Sequence, residues 1–278
     1  MYNRIICPTD FSSSADNAID YAAKLAQLHW VELLLLNIQK LDPVVFPVSY
    51  DINPGSTGEE RIKNVSAYLR SISEHLNKAF HITSNYEVEL SNKTIAKAVA
   101  AEGEKKTLFV IGSDGESNIY ERIFGSHAFR ITKETKCPVL IIPKNLDYKT
   151  IKKVLFVITR EDKNYLPLEE LSEFLKKSVA KITFLITGNI RVYENCREQT
   201  KKFFGEKPEQ IEFWNKNSEN TIKVLDEIVT TTEFDLIVIQ AHEKSLLRDL
   251  LLQNTLKSLT SEPNLPILVL HEKNLQTI

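Results

Sequence analysis

Leu108-Phe109-Val110-Ile111-Gly112-Ser113-Asp114-Gly115, followed after nine intervening residues by Gly125-Ser126, is the stretch on which the fold turns. Four apolar residues in succession, without alternation, suit a strand buried on both faces of a parallel sheet. Gly112 and Gly115 carry no Cβ, so the chain can turn sharply there and approach a ligand closely. Gly125-Ser126 opens a predicted helix, and the free N–H groups at a helix start favour an anion. A glycine turn followed by a helix N-terminus is a phosphate cradle built from backbone donors.

Working outward, the first half alternates strand and helix. Arg4–Cys7 is a short apolar strand stopped by Pro8. Ser12-Ser13-Ser14 offers helix caps, with Asp16 three residues beyond Ser13 in a capping-box arrangement. Ala15, Ala18, Ile19, Ala22, Leu25 and Ala26 then mark one helical stripe. Glu32–Ile38 is nearly continuous Leu, as a doubly buried strand requires. Pro43, Pro47 and Pro54-Gly55 punctuate a loop over 41–57. A helix over 59–78, a strand over 86–90 and a helix over 94–104 lead to Leu108–Ile111. After the helix from Gly125, Val139–Ile142 supplies a fifth strand. Parallel strands need crossovers, so this order predicts a doubly wound α/β sheet.

The second half repeats the plan. Lys153–Ile158 corresponds to the first strand, followed by a helix over 166–177 and a strand at Ile182–Ile186. Near the end the match is ungapped at an offset of 128. Leu236, Val238, Ile239, Ser245, Thr260, Glu262, Pro266 and Leu268 coincide with Leu108, Val110, Ile111, Ser117, Thr132, Glu134, Pro138 and Leu140. Such self-similarity identifies an internal duplication. It divides the chain into domains at 1–146 and 147–278 and predicts two tandem doubly wound, five-stranded parallel sheets.

The 278 residues include 35 basic and 37 acidic side chains, for a net charge of −2. That balance argues against a nucleic-acid protein held by a strong positive field. No apolar run approaches the roughly 20 residues that span a bilayer, so no membrane partner is expected. Three scattered cysteines, Cys7, Cys137 and Cys196, lack CxxC spacing. With no signal-peptide pattern at the start, a cytoplasmic, reduced protein is expected. The six histidines form no HxxxH or His-Cys cluster, and the GxxxxGK[ST] and GxSxG motifs are absent. No nucleophile and general base can be paired, so no catalytic residue is assigned.

In an open parallel sheet, ligands sit beyond the carboxyl ends of strands where the strand order reverses. In a 3-2-1-4-5 order, Pro8-Thr9-Asp10 lies beside Gly112. Asp10 is then placed to accept hydrogen bonds from ribose hydroxyls, and the backbone near Ile38 to read an adenine edge. Pro8-Thr9-Asp10-Phe11-Ser12, Gly112-x2-Gly115-x9-Gly125-Ser126 and Cys137-Pro138-Val139-Leu140 together resemble the universal stress protein family, in a duplicated form covering nearly the whole chain. The resemblance implies an adenine nucleotide alpha hydrolase-like fold. It further implies ATP, or else AMP or ADP, with Mg or Mn as a possible companion, bound by Pro8, Thr9, Asp10, Ile38, Gly112, Gly115, Gly125, Ser126 and His127. The two halves are expected to pack as an intramolecular pseudo-dimer through their last strands, with further homodimerisation and a protein partner left open.

The second half departs at each of these positions. Val157 and Thr159 replace Pro8 and Asp10, while Gln240, Glu243, Gln253 and Asn254 replace Gly112, Gly115, Gly125 and Ser126. Alternative readings stand beside the ligand reading. The glycines can be plain turn residues and Asp10 a helix cap. Arg122 and His127 can be solvated flanking residues. Asp114 and Glu116 can hold a divalent cation or oppose an anion. The leading function is a nucleotide-dependent interaction or regulatory module in the stress response. A slow Mg-dependent ATPase and a ligand-free structural protein are the competitors.

Overall fold

Strand and helix alternate along the chain as the apolar periodicities predict. The computed structural model describes residues 2–40, 58–91, 94–102, 106–113, 126–159, 165–205, 209–216, 218, 220–241 and 265–271. The first half contains β1 (Arg4–Pro8), α1 (Ser13–His29), β2 (Glu32–Lys40), α2 (Gly58–Phe80), β3 (Ser84–Ser91), α3 (Ile95–Ala101), β4 (Thr107–Gly112), α4 (Ser126–Glu134) and β5 (Val139–Ile142). The second contains β6 (Lys153–Ile158), α5 (Leu168–Leu175), β7 (Lys181–Ile186), α6 (Ile190–Phe204), β8 (Ile211–Asn215), α7 (Thr221–Thr231), β9 (Leu236–Gln240) and β10 (Ile267–Leu270).

All these strands form one ten-stranded sheet in the order β3-β2-β1-β4-β5-β10-β9-β6-β7-β8. Each half therefore has the 3-2-1-4-5 order, and every pairing within a half is parallel. The expected pair of sheets is joined edge to edge. β5 and β10 pair antiparallel, with Leu268 opposite Leu140 and Val269 opposite Val139. The repeat extends to individual hydrogen bonds. Phe109 N–H donates to Pro138 O at 3.0 Å and Ile237 N–H to Pro266 O at 3.0 Å, 128 residues later. Ser113 to Ile142 (2.8 Å) and Ala241 to Leu270 (2.7 Å) keep the same offset.

Burial on both faces explains the unbroken apolar runs. Leu33 and Leu35 of β2 face the layer of α1 and α2, while Leu34 and Leu36 face that of α3 and α4. Both apolar layers continue through the joint. Val110, Leu140, Leu268 and Val238 share one layer, and Phe109, Val139, Val269 and Ile237 the other. Across the second half, Phe156, Phe184 and Phe213 stack in sequence with centroids 5.5 and 5.3 Å apart.

Element ends differ from the sequence reading for identifiable reasons. The cap of α1 is Ser12, whose hydroxyl accepts from Ala15 N–H, so Ser13 lies inside the helix and forms no capping box with Asp16. Pro8 ends β1 opposite Leu36 of β2, beyond the last β1–β4 pair at Ile6, where its missing N–H costs the β4 ladder nothing. α5 begins at Leu168 because Pro167 disfavours helical backbone at Leu166. α3 starts after Thr94, which caps it through Lys97 N–H. The 41–57 loop falls outside the described residues.

Candidate functional site

β1 delivers Thr9 and Asp10 to the carboxyl edge of the sheet, and the turn there is bonded at every step. Thr9 N–H donates to Leu36 O (2.9 Å), while the buried Asn37 amide donates to Thr9 O (2.8 Å). Thr9 is thus held to β2 from both sides. Its hydroxyl accepts from Phe11 N–H (3.0 Å), and the Asp10 carboxylate accepts from Ser12 N–H (3.1 Å). These contacts hold Phe11 at a φ of 63°, a left-handed conformation costly for a side chain without local hydrogen-bonding capacity. Thr9 is buried and Asp10 exposed. Asp10 therefore closes a turn rather than capping α1, and its carboxylate faces solvent beside the helix start.

Gly112 ends β4, next to β1 in the sheet. A Cβ at this position would lie 2.7 Å from the Ser14 carbonyl oxygen and 2.8 Å from its carbon. Glycine is required here because the first turn of α1 crosses directly over the end of β4. This packing demand stands beside the ligand-approach reading of the same residue. Ser113 follows, buried, with its N–H on Ile142 O. Ile38 lies near the end of β2 and packs against the α3–α4 layer. Thr9, Asp10, Ile38 and Gly112 thus converge at the carboxyl ends of three adjacent strands, at the point where the chain order reverses. Ser126 and His127 open α4. Gly115, Gly125, Asp114, Glu116 and Arg122 lie outside the described residues.

The charge around α1's first turns is negative. Burial raises the pKa of Asp16, and the nearby Asp20 and Asp10 carboxylates push it the same way. Among the described residues no group of three or more His, Cys, Asp or Glu could hold a metal ion. The Cys7 and Cys137 thiols are both held protonated by burial, so neither offers a ready nucleophile. A small cavity of about 70 Å³ lies elsewhere, at the seam between halves, lined by Tyr21, Leu146, Asp147, Asp235 and Pro266 among others.

The corresponding place in the second half is filled. Gln240, at the position of Gly112, is fully buried, and its amide donates to Tyr165 O (3.4 Å) ahead of α5. Thr159 is buried where Asp10 is exposed. Four residues separate β1 from α1, but nine separate β6 from α5. Tyr165, in the longer connection, supplies the carbonyl that the Gln240 amide meets. Glu243, Gln253 and Asn254 lie outside the described residues.

Gln240 was marked in the sequence as the replacement of Gly112, whereas Asn37 was not singled out. A lone amide inside the Leu-rich run of β2 is the signal that marks Asn37, since a buried polar group needs a partner.

Comparison with known proteins follows the same division. A universal stress protein of Methanocaldococcus jannaschii is 25% identical over 158 residues, spanning 52% of this chain and 96% of that protein. Universal stress protein YxiE of Bacillus subtilis is 26% identical over 154 residues, spanning 51% and 99%. The crystal structure of a universal stress protein from Archaeoglobus fulgidus superimposes with a TM-score of 0.70 at 14% identity. It covers 98% of this chain and all of that one, so the likeness in fold extends through both halves. No helix among the described residues is long and apolar enough to cross a membrane. The sequence model of the universal stress protein family matches residues 1–143, more than half the chain, and the chain belongs to that family.

Proposed function

We propose that the N-terminal half binds one adenine nucleotide, ATP in the first instance, and that occupancy regulates an interaction with a protein partner in the stress response. The observation that carries this reading is the convergence of Thr9, Asp10, Ile38 and Gly112 at the reversal of strand order, where α/β sheets take ligands. In this reading Asp10 accepts from the ribose hydroxyls and the Ile38 backbone meets the base. The phosphates lie along Gly112–Gly115 and Gly125-Ser126, with Pro8, Thr9 and His127 lining the rim. A divalent cation, Mg or Mn, would accompany the phosphates and offset the nearby carboxylates of α1's first turns. The second half binds none, because Gln240 fills its equivalent space.

Calorimetric titration of ATP into the full chain tests the reading. One site per chain is expected. Gly125→Glu should abolish binding, since it sets a like charge at the helix start. Asp10→Ala should weaken it by about tenfold or more, the cost of losing hydrogen bonds to a charged acceptor. No heat with ATP, ADP or AMP, and no nucleotide released from the purified protein on mass spectrometry, would sink the proposal.

A further inference from the structure

On one face of the sheet the last turn of α1 meets α5 through a histidine that has one buried, unpartnered ring nitrogen. His29, the last residue of α1, is 2% exposed. Its ring lies 6.2 Å from Tyr2, nearly edge-on, and 6.4 Å from Phe174 of α5. Neither His29 Nε2 nor the Tyr2 hydroxyl has a hydrogen-bond partner among the described residues, and both atoms are shut off from solvent. Among the described residues, the following ionisable groups act on this pair. Glu173 of α5 and Lys177 just beyond it act on His29. Glu173, Glu170 and Cys137 act on Tyr2. The cluster thus spans both halves: Tyr2, His29 and Cys137 from the first, Glu170, Glu173, Phe174 and Lys177 from the second.

We propose that His29 is an acid-sensitive latch between the halves: protonating its buried ring loosens the α1–α5 contact while the sheet joint persists. A neutral imidazole fits an apolar seam, but an imidazolium carries a full charge and two donors that demand solvent or partners. Glu173 attracts the charged ring and Lys177 repels it. Burial outweighs the attraction, and the net shift is downward. The sign follows directly. With the docked value below the free value of about 6.5, the undocked state binds more protons below that pH. Docking is therefore full above about pH 6.5 and weakens as pH falls through 6.5 towards the lowered value. One proton linked in this way changes the docking equilibrium by up to about tenfold per pH unit. This proposal does not depend on nucleotide binding.

The test measures the full chain at pH 7.5 and 5.5. Hydrogen exchange, corrected for the intrinsic rate at each pH, should show protection lost in residues 25–30 and 168–175 on acidification, with β3 unchanged. Urea unfolding of wild type should fall more steeply with pH than that of His29→Phe, which fills the seam without titrating. His271 also sits low, at about 4 because of burial, and remains in that variant as an internal comparison. Glu173→Gln removes the attraction that favours the charged ring, so its stability should fall more steeply than wild type below pH 6.5. That variant, together with the His29 ring titration by NMR, decides the matter if His29→Phe does not fold. Parallel pH slopes for wild type and both variants would overturn the latch. So would a His29 ring that titrates at or above 6.5, or protection lost evenly along the chain.

Discussion

Gly112 is the residue on which two demands meet. Its missing Cβ lets Ser14 and the first turn of α1 lie across the end of β4. Gly112→Ala should therefore destabilise the fold by about 1–3 kcal/mol through overpacking, even with no nucleotide present, as thermal unfolding would measure. Asn37 makes an opposite case. Its buried amide holds Thr9 O, and Asn37→Ala should cost about 1–3 kcal/mol by leaving that carbonyl unsatisfied. Trp30 is a residue whose replacement should help. It terminates α1 at a φ of 59° and is 85% exposed, so its side chain gains little while its backbone is strained. Trp30→Gly should raise stability by roughly 0.5–1 kcal/mol, read as a higher denaturation midpoint. Glycine 112 stood out in the sequence because it follows an apolar strand. Asn37 and His29 did not, since their significance lies in what surrounds them after folding.

At the scale of elements, the strands were the most legible. Leu33–Leu36 and Leu108–Ile111 announce a sheet covered on both faces, and each residue faces the layer its parity dictates. Helix ends were less so, because serine at 12, 13 or 14 satisfies the same capping rule. Ser12 is the cap because its backbone is extended (φ −72°, ψ 157°) and its hydroxyl accepts from Ala15 N–H. Ser12→Ala should cost about 1 kcal/mol and Ser13→Ala much less, a comparison that isolates the cap in two otherwise similar variants. The weakest reading concerned α5, where a helix over 166–177 proves to be eight residues after Pro167. The longer approach to α5 includes Tyr165, whose carbonyl accepts from the Gln240 amide. At the position of Gly112 the second half thus carries a buried, hydrogen-bonded side chain. Gln240→Gly should open a cavity and cost stability, and by itself it should create no ATP binding measurable by calorimetry.

For the whole molecule, the duplication visible at offset 128 becomes a physical repeat, down to matching hydrogen bonds. The order of strands in each half was expected from the resemblance, since right-handed crossovers alone admit other doubly wound orders. The antiparallel pairing of β5 with β10 could be expected only from resemblance, because edge strands do not encode their partner locally. That pairing has a consequence for dilution. Two separate copies joined at such an edge would obey mass action and part at low concentration. Here a short tether keeps the second edge at an effective concentration on the order of millimolar, whatever the amount of protein. The melting temperature should therefore stay constant over a hundredfold dilution, and the seam that houses His29 should answer to acidity rather than to abundance.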